Sequence, residues 1–217
     1  VAQSKTEISV WGVGTPRTMR VHWILQELNL SYQTNPIQSR SGETQTAEYT
    51  QLNPKQKIPF IVDGAFSLSE SLAILRYIDQ KFGQNGDMNR AHTDAMKAAS
   101  DEWCAFALSE LDATTLYVIR RHKDLKDIYG DAPNVVQSAQ EYFERMANSA
   151  LPALEAAPHY LISDKLDVAD IMLTTCIEWA QFYEVPLPST YLDYYNIVAE
   201  RPSYKNAFEY NYGFASQ

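Results

Sequence analysis

Three short stretches of this chain carry residue types suited to holding and activating a ligand. Ile58-Pro59 sets a proline at the start of an apolar run, where it has no N–H to give a strand ladder. If that bond is cis, the backbone before it turns outward and offers N–H and C=O to an extended peptide. Glu70-Ser71 precedes a helical pattern, where free N–H groups and the positive end of the helix dipole hold a carboxylate. Glu70 itself is placed to accept an ammonium beside that carboxylate. Thr15-Pro16 suits the N-cap and first position of an earlier helix, which sets a hydroxyl at a second helix N-terminus. Each feature alone has a plainer reading, as a trans edge-strand proline or an ordinary cap. Separated by a single hairpin, the proline step and Glu70-Ser71 together favour a binding site. A ligand with an amino-acid head followed by a peptide backbone satisfies both at once, and glutathione has that layout.

The elements that must position these residues follow from periodicity. Ile8 to Gly12 reads as a strand, the helix from Pro16 carries Val21, Ile24, Leu25 and Leu28 at helical spacing, and Ser31 to Ile37 reads as a second strand. A strand, helix, strand order of this length predicts a parallel pair with a right-handed crossover. One helical turn is expected around Glu48 to Leu52. Strands at Ile58 to Val62 and Ala65 to Leu68 flank an Asp63-Gly64 hairpin turn. A helix beginning at Ser69 or Glu70 then presents Leu72, Leu75 and Ile78. Residues 83–90, GQNGDMNR, are turn-forming and read as a linker. Beyond them nearly everything has helical period: His92 to Arg121, with Met96, Ala99, Trp103, Phe106, Ala113 and Tyr117 near one stripe, then about Pro133 to Leu154, then Asp167 to Phe182 behind an Asp167-x-x-Asp170 capping box.

Composition narrows the classes. A chain of 217 residues, 45% hydrophobic and 21% charged, has enough material to bury a core. A net charge of −9 argues against general binding to nucleic acid or anionic membrane. The two cysteines, Cys104 and Cys176, fit reduced core thiols better than a disulfide framework. The four histidines, His22, His92, His122 and His159, show no ligand pairing, so no metal site is expected. With no apolar run long enough to span a bilayer and no signal-like start, a cytoplasmic protein is expected.

The run NPKQKIP resembles the Asn-Pro-x-Gly-Lys-Val-Pro loop of glutathione transferases, and ESLAILRYI resembles their Glu-Ser-x-Ala-Ile motif. DKLDVADIML resembles the capped helix central to that family's C-terminal domain, and YYNIVAERPSYKNAF resembles its closing helices. The chain is thus identified as resembling the cytosolic glutathione S-transferase family, of the bacterial theta- or zeta-like Ser/Thr type. The resemblance implies a thioredoxin-like α/β domain over 1–82, the linker at 83–90, and an all-helical domain over 91–217. It implies glutathione as co-substrate, a small hydrophobic electrophile as second substrate, and a homodimer. Aligning Arg20-Val21 on the family's Arg-Val places Thr15 where a hydroxyl faces the glutathione sulfur. The other register places Pro16 there, with Thr18 the nearest hydroxyl. Ile58, Pro59, Glu70 and Ser71 would bind the tripeptide, and Arg40 or Lys57 its far carboxylate. Gln56 departs from the family's usual glycine. Trp103, Phe106 and Tyr117 would line the second-substrate pocket or form plain core.

The implied chemistry closes energetically. Taking a thiol from about 8.5 to mostly thiolate at neutral pH needs roughly 2.7 kcal/mol. A helix N-terminus supplies roughly 0.3–1 kcal/mol, up to about 2 when partly buried, and a hydroxyl bonded to the charge adds about 1.5–3. A dinucleotide fingerprint at Gly12 and Gly14 fails, because Arg17 stands where the third glycine belongs. A non-catalytic binding or scaffold protein and a glutathione-dependent reductase or peroxidase are the competing expectations.

Overall fold

The computed structural model describes residues 7–88 and 93–214. His92 and the end of the expected linker lie outside the described residues. The chain forms two compact units, one of residues 7–88 with 200–214 and the other of residues 93–199.

The first unit has a thioredoxin-like order: β1 (Ile8–Val13), α1 (Pro16–Glu27), β2 (Tyr32–Gln38), α2 (Ala47–Leu52), β3 (Phe60–Asp63), β4 (Phe66–Ser69) and α3 (Ser71–Phe82). The sheet order is β2-β1-β3-β4. β1 runs parallel to β2, as the crossover predicts, and antiparallel to β3, which pairs antiparallel with β4. The hairpin differs by one residue from the sequence expectation. Asp63 pairs with Phe66, so Gly64 and Ala65 form the turn and Gly64 takes a φ of 61°. Asp63 is kept in the ladder by its carboxylate, which accepts from the Tyr77 hydroxyl at 2.8 Å and pairs with Lys81. β3 opens at Phe60, not Ile58, since Pro59 has no N–H to donate and the Lys57 carbonyl is bonded elsewhere.

The second unit is helical: α4 (Asp94–Ala105), a π-wound stretch over Phe106–Leu116, then α5 (Tyr117–His122), α6 (Lys126–Tyr129), α7 (Pro133–Glu155), α8 (Val168–Phe182) and α9 (Ser189–Ala199). The π winding breaks the single long helix expected from periodicity. Within it the Ser109 hydroxyl donates to the Ala105 carbonyl at 2.7 Å and the Thr115 hydroxyl to that of Leu111, local bonds that compete with regular winding. The buried face therefore runs through Ser100, Cys104, Ala107, Leu111, Leu116 and Ile119, while Ala113 is exposed. α8 opens on the expected capping box between Asp167 and Asp170.

The last helix, α10 (Pro202–Gly213), packs on α1 within the first unit. The resemblance implies a helical domain running over 91–217, whereas this helix belongs to the first unit, joined to α1 by buried polar pairs that periodicity does not encode. α1 is buried almost all round, including Thr18, Arg20, His22 and Glu27. A polar group in that position needs a partner, and each has one. Thr18 bonds Asn211 of α10, Arg20 bonds Ser71, His22 bonds the Gly12 carbonyl, and Glu27 takes Arg201 and Ser203.

Candidate functional site

Thr15 is the N-cap of α1, extended at φ −133° and ψ 155°. Its hydroxyl oxygen accepts the Thr18 N–H at 3.1 Å, and the Thr15 N–H reaches the Thr18 hydroxyl at 3.0 Å, closing a capping box with Thr in the acid's place. Thr15 keeps 6% of its surface and Thr18 keeps none, so of the two residues proposed for the sulfur only Thr15 has any exposed surface. The two oxygens stand 3.0 Å apart. Thr18 has one hydroxyl hydrogen, with Asn211 Oδ1 at 2.7 Å and the Thr15 carbonyl at 2.8 Å as acceptors. Asn211 Nδ2 donates to that same carbonyl at 3.1 Å, and the Gly14 N–H reaches Asn211 Oδ1 at 3.2 Å. The turn before α1 is thus held from the far end of the chain.

Gly12 brings the Pro59 corner against this turn. Its φ is 114°, and a Cβ there would sit 2.6 Å from Ile58 Cβ and 2.9 Å from Thr18 Cγ2. Gly12→Ala is expected to cost about 2–5 kcal/mol, summing left-handed strain and overpacking, read as a fall in urea midpoint. A wild-type midpoint would refute the close approach. The same peptide is fixed by His22, whose Nε2–H donates to the Gly12 carbonyl at 3.0 Å while Nδ1 accepts from the Tyr32 hydroxyl at 3.1 Å. Burial pushes the His22 pKa down to about 4 against that bond, so the imidazole stays neutral and keeps one tautomer at physiological pH.

The Ile58-Pro59 bond is cis. Before it, the Lys57 carbonyl accepts from the Tyr49 hydroxyl at 2.7 Å and from Asn53 Nδ2 at 2.8 Å. Glu70 is the N-cap of α3 with φ 73° and makes no cap bond with its side chain. Its exposed carboxylate instead pairs with Lys55 at 2.8 Å. Ser71, first residue of α3, is buried and accepts from Arg20 Nη1 at 3.2 Å. That bond leaves the Ser71 hydroxyl hydrogen to be given elsewhere. The helix start is therefore one or two residues later than the patterning predicts, with the acid at the cap and the serine in the first turn.

Thr15, Ile58, Pro59, Glu70 and Ser71 all fall in the first unit. So do Arg40 and Lys57, both exposed. Arg40 takes φ 70° in the turn after β2, and Lys57 sits beside the corner. Gln56 stands at φ 54°, the left-handed conformation a glycine would take there most easily, with Nε2 donating to the Thr50 hydroxyl at 2.9 Å. Trp103 and Phe106 meet edge to face at 5.8 Å in the second unit, and Tyr117 opens α5 there. All three are half-buried. Both cysteines are buried in that unit. Among the described residues no group of three or more His, Cys, Asp or Glu is placed to hold a metal ion, and no helix is long and apolar enough to cross a membrane.

Three positioning residues were not legible. Asn211 lies in an aromatic tail segment with no motif around it. Arg20 read only as an alignment anchor, and Asn53 as part of a loop pattern. A signal existed for Arg20, a guanidinium in the middle of an otherwise apolar helix face. For Asn211 there was none.

Residues 6–80 match the family model for the glutathione S-transferase N-terminal domain. A glutathione S-transferase-like protein of Aspergillus terreus is 36% identical over 106 residues, 47% of this chain and 45% of that one. The chain spans less than half the length of this and similar curated relatives. A glutathione transferase of Phanerochaete chrysosporium, solved with oxidized glutathione, superposes with a TM-score of 0.82 at 20% identity over 96% of this chain and 98% of that one. A theta class glutathione S-transferase of Xanthomonas axonopodis pv. citri, solved with glutathione bound, gives 0.77 at 21% over 93% and 97%. The fold is therefore that of the glutathione transferases, a thioredoxin-like domain followed by a helical one.

Proposed function

We propose that this chain is a member of the glutathione S-transferase family, whose N-terminal-domain model its residues 6–80 match, and that it binds glutathione and transfers it as thiolate to a small hydrophobic electrophile. The observation that carries the reading is the convergence, within one unit, of the Pro59 corner, the Glu70-Ser71 helix start and the Thr15 cap. The cysteinyl backbone lies along Ile58-Pro59. The γ-glutamyl carboxylate takes the first N–H groups of α3 and the Ser71 hydroxyl, and the γ-glutamyl ammonium faces Glu70. Arg40 or Lys57 takes the glycyl carboxylate. The sulfur sits over the N-terminus of α1, where the Thr15 hydroxyl donates to it and the dipole favours the negative form. Attack then needs no protein nucleophile and no metal: the thiol proton passes to water, the sulfur bonds the electrophilic carbon, and the halide of an aryl halide departs with its electron pair.

Trp103, Phe106 and Tyr117 are the aromatic side chains proposed to contact that electrophile. The assembly is proposed as a cytoplasmic homodimer, and the subclass as the Ser/Thr type resembling theta and zeta members. The reading is supported by the solved relatives whose structures hold glutathione. Its test is a titration with glutathione followed by assay with a reactive aryl halide. Saturable binding below millimolar concentration with conjugate formation is expected; no binding at millimolar glutathione would overturn it.

A second reading, a glutathione binder without turnover, has one observation in its favour. The Thr15 hydroxyl has an internal partner in the Thr18 hydroxyl at 3.0 Å. Binding without conjugation across a panel of electrophiles would select it. A thiol reductase is disfavoured, because Cys104 and Cys176 are both buried, 1% and 0% exposed.

A further inference from the structure

Lys55 and Glu70 form an ion pair that joins the two motifs a tripeptide would bridge. The pair is built from below. Asn53 is buried, 3% exposed, and its side chain holds both neighbours in the loop: Oδ1 accepts the Lys55 N–H at 3.2 Å and Nδ2 donates to the Lys57 carbonyl at 2.8 Å. One asparagine therefore sets the two lysines of this loop, Lys55 toward Glu70 and Lys57 beside the corner. On the other side Glu70 is fixed by its place as the positive-φ cap of α3, with its carboxylate turned to Lys55 and not to the helix N–H groups.

The geometry points to Lys55 as a residue that determines which head group the site accepts, an inference that rests on the glutathione reading above. Its ammonium occupies the carboxylate that the ligand's ammonium would use. An incoming γ-glutamyl ammonium has to displace it or share Glu70 with a like charge. The ligand's α-carboxylate, bound at the adjacent helix start, gains from the same lysine. Lys55 thus lowers the preference for a head group bearing both charges over one bearing the carboxylate alone. The lysine and glutamate side chains are 56% and 68% exposed, so the effect is modest and screened by salt.

The test is calorimetric titration of the full chain and of Lys55→Met with two probes: glutathione, and its analogue with the α-ammonium replaced by hydrogen. The preference for glutathione over the analogue is expected to rise roughly two- to fivefold in Lys55→Met, the range of an exposed pair. The rise is expected to shrink at high salt, and Lys55→Arg is expected to keep the wild-type preference. Both proteins binding both probes with an unchanged preference overturns this inference alone. Failure of the wild-type chain to bind glutathione overturns the glutathione reading and this inference with it.

Discussion

Thr15→Ala is expected to raise the pKa of enzyme-bound glutathione's thiol by about one to two units, the worth of one hydrogen bond to a charged acceptor. Turnover below the new value falls with the thiolate fraction, by about 10- to 100-fold at neutral pH. The sign is set by which form the hydroxyl favours. A donated hydrogen stabilises the thiolate, so its loss moves the titration up and displaces the acidic limb of the kcat/KM profile to higher pH. Thr15→Ser keeps the donor and is expected to stay near wild type. The alanine variant also loses its cap, about 0.5–2 kcal/mol of stability, which leaves a folded protein whose bound thiol can be titrated by its ultraviolet absorbance. An unmoved thiol pKa would remove Thr15 from the mechanism and favour the binder without turnover.

Asp170→Ala carries the largest expected stability loss, about 3–5 kcal/mol, because it strands several buried donors at once. The Leu161 N–H reaches this carboxylate at 2.8 Å, the Asp167 N–H at 2.6 Å and the Tyr194 hydroxyl at 2.5 Å. Together they tie the start of α8 to the loop before it and to α9. Burial pushes the Asp170 carboxyl up to about 7 against those donated bonds. Between roughly pH 4 and 7 the native state keeps a proton that the unfolded chain has released. The stability due to this group is fully present below the unfolded value. It falls as pH rises through that window, by up to about 1.4 kcal/mol per unit, and levels off above it. Asp170→Asn, which does not titrate, is expected to lose that slope in urea midpoints measured from pH 4 to 8. Parallel wild-type and variant curves would refute it.

What the sequence made legible was whatever short-range chemistry encodes. The Thr15-Pro16 cap, the Asp167-x-x-Asp170 box and the parallel β1–β2 pair all follow from neighbours close in the chain. Errors arose where a distant partner decides. Asp63 belongs to the ladder because Tyr77 and Lys81 hold it, a contact across α3 that no turn pattern contains. The stripe through Trp103, Phe106 and Ala113 assumed unbroken α winding, and hydroxyls bonding back to carbonyls rotate Ala113 outward. Thr15 emerged from a motif register, but not the Asn211 amide that supports its turn, since nothing in NAFEYNYGF marks one asparagine over the other. Lys55 carries no mark in the sequence, where an exposed loop lysine looks like any solvated charge; its role rests on the Glu70 carboxylate fifteen residues on.

The return of α10 to the first unit has a bearing on how the protein is made. A chain delivered from its N-terminus presents β1 through α3 early, yet Glu27 and Thr18 stay without their clasp until Arg201 and Asn211 arrive. The helical residues 93–199 form a unit of their own that does not include this closing helix, and domains generally fold as units. The turn that Thr15 caps, opened by the first strand, is therefore expected to be completed only after α10 has been made.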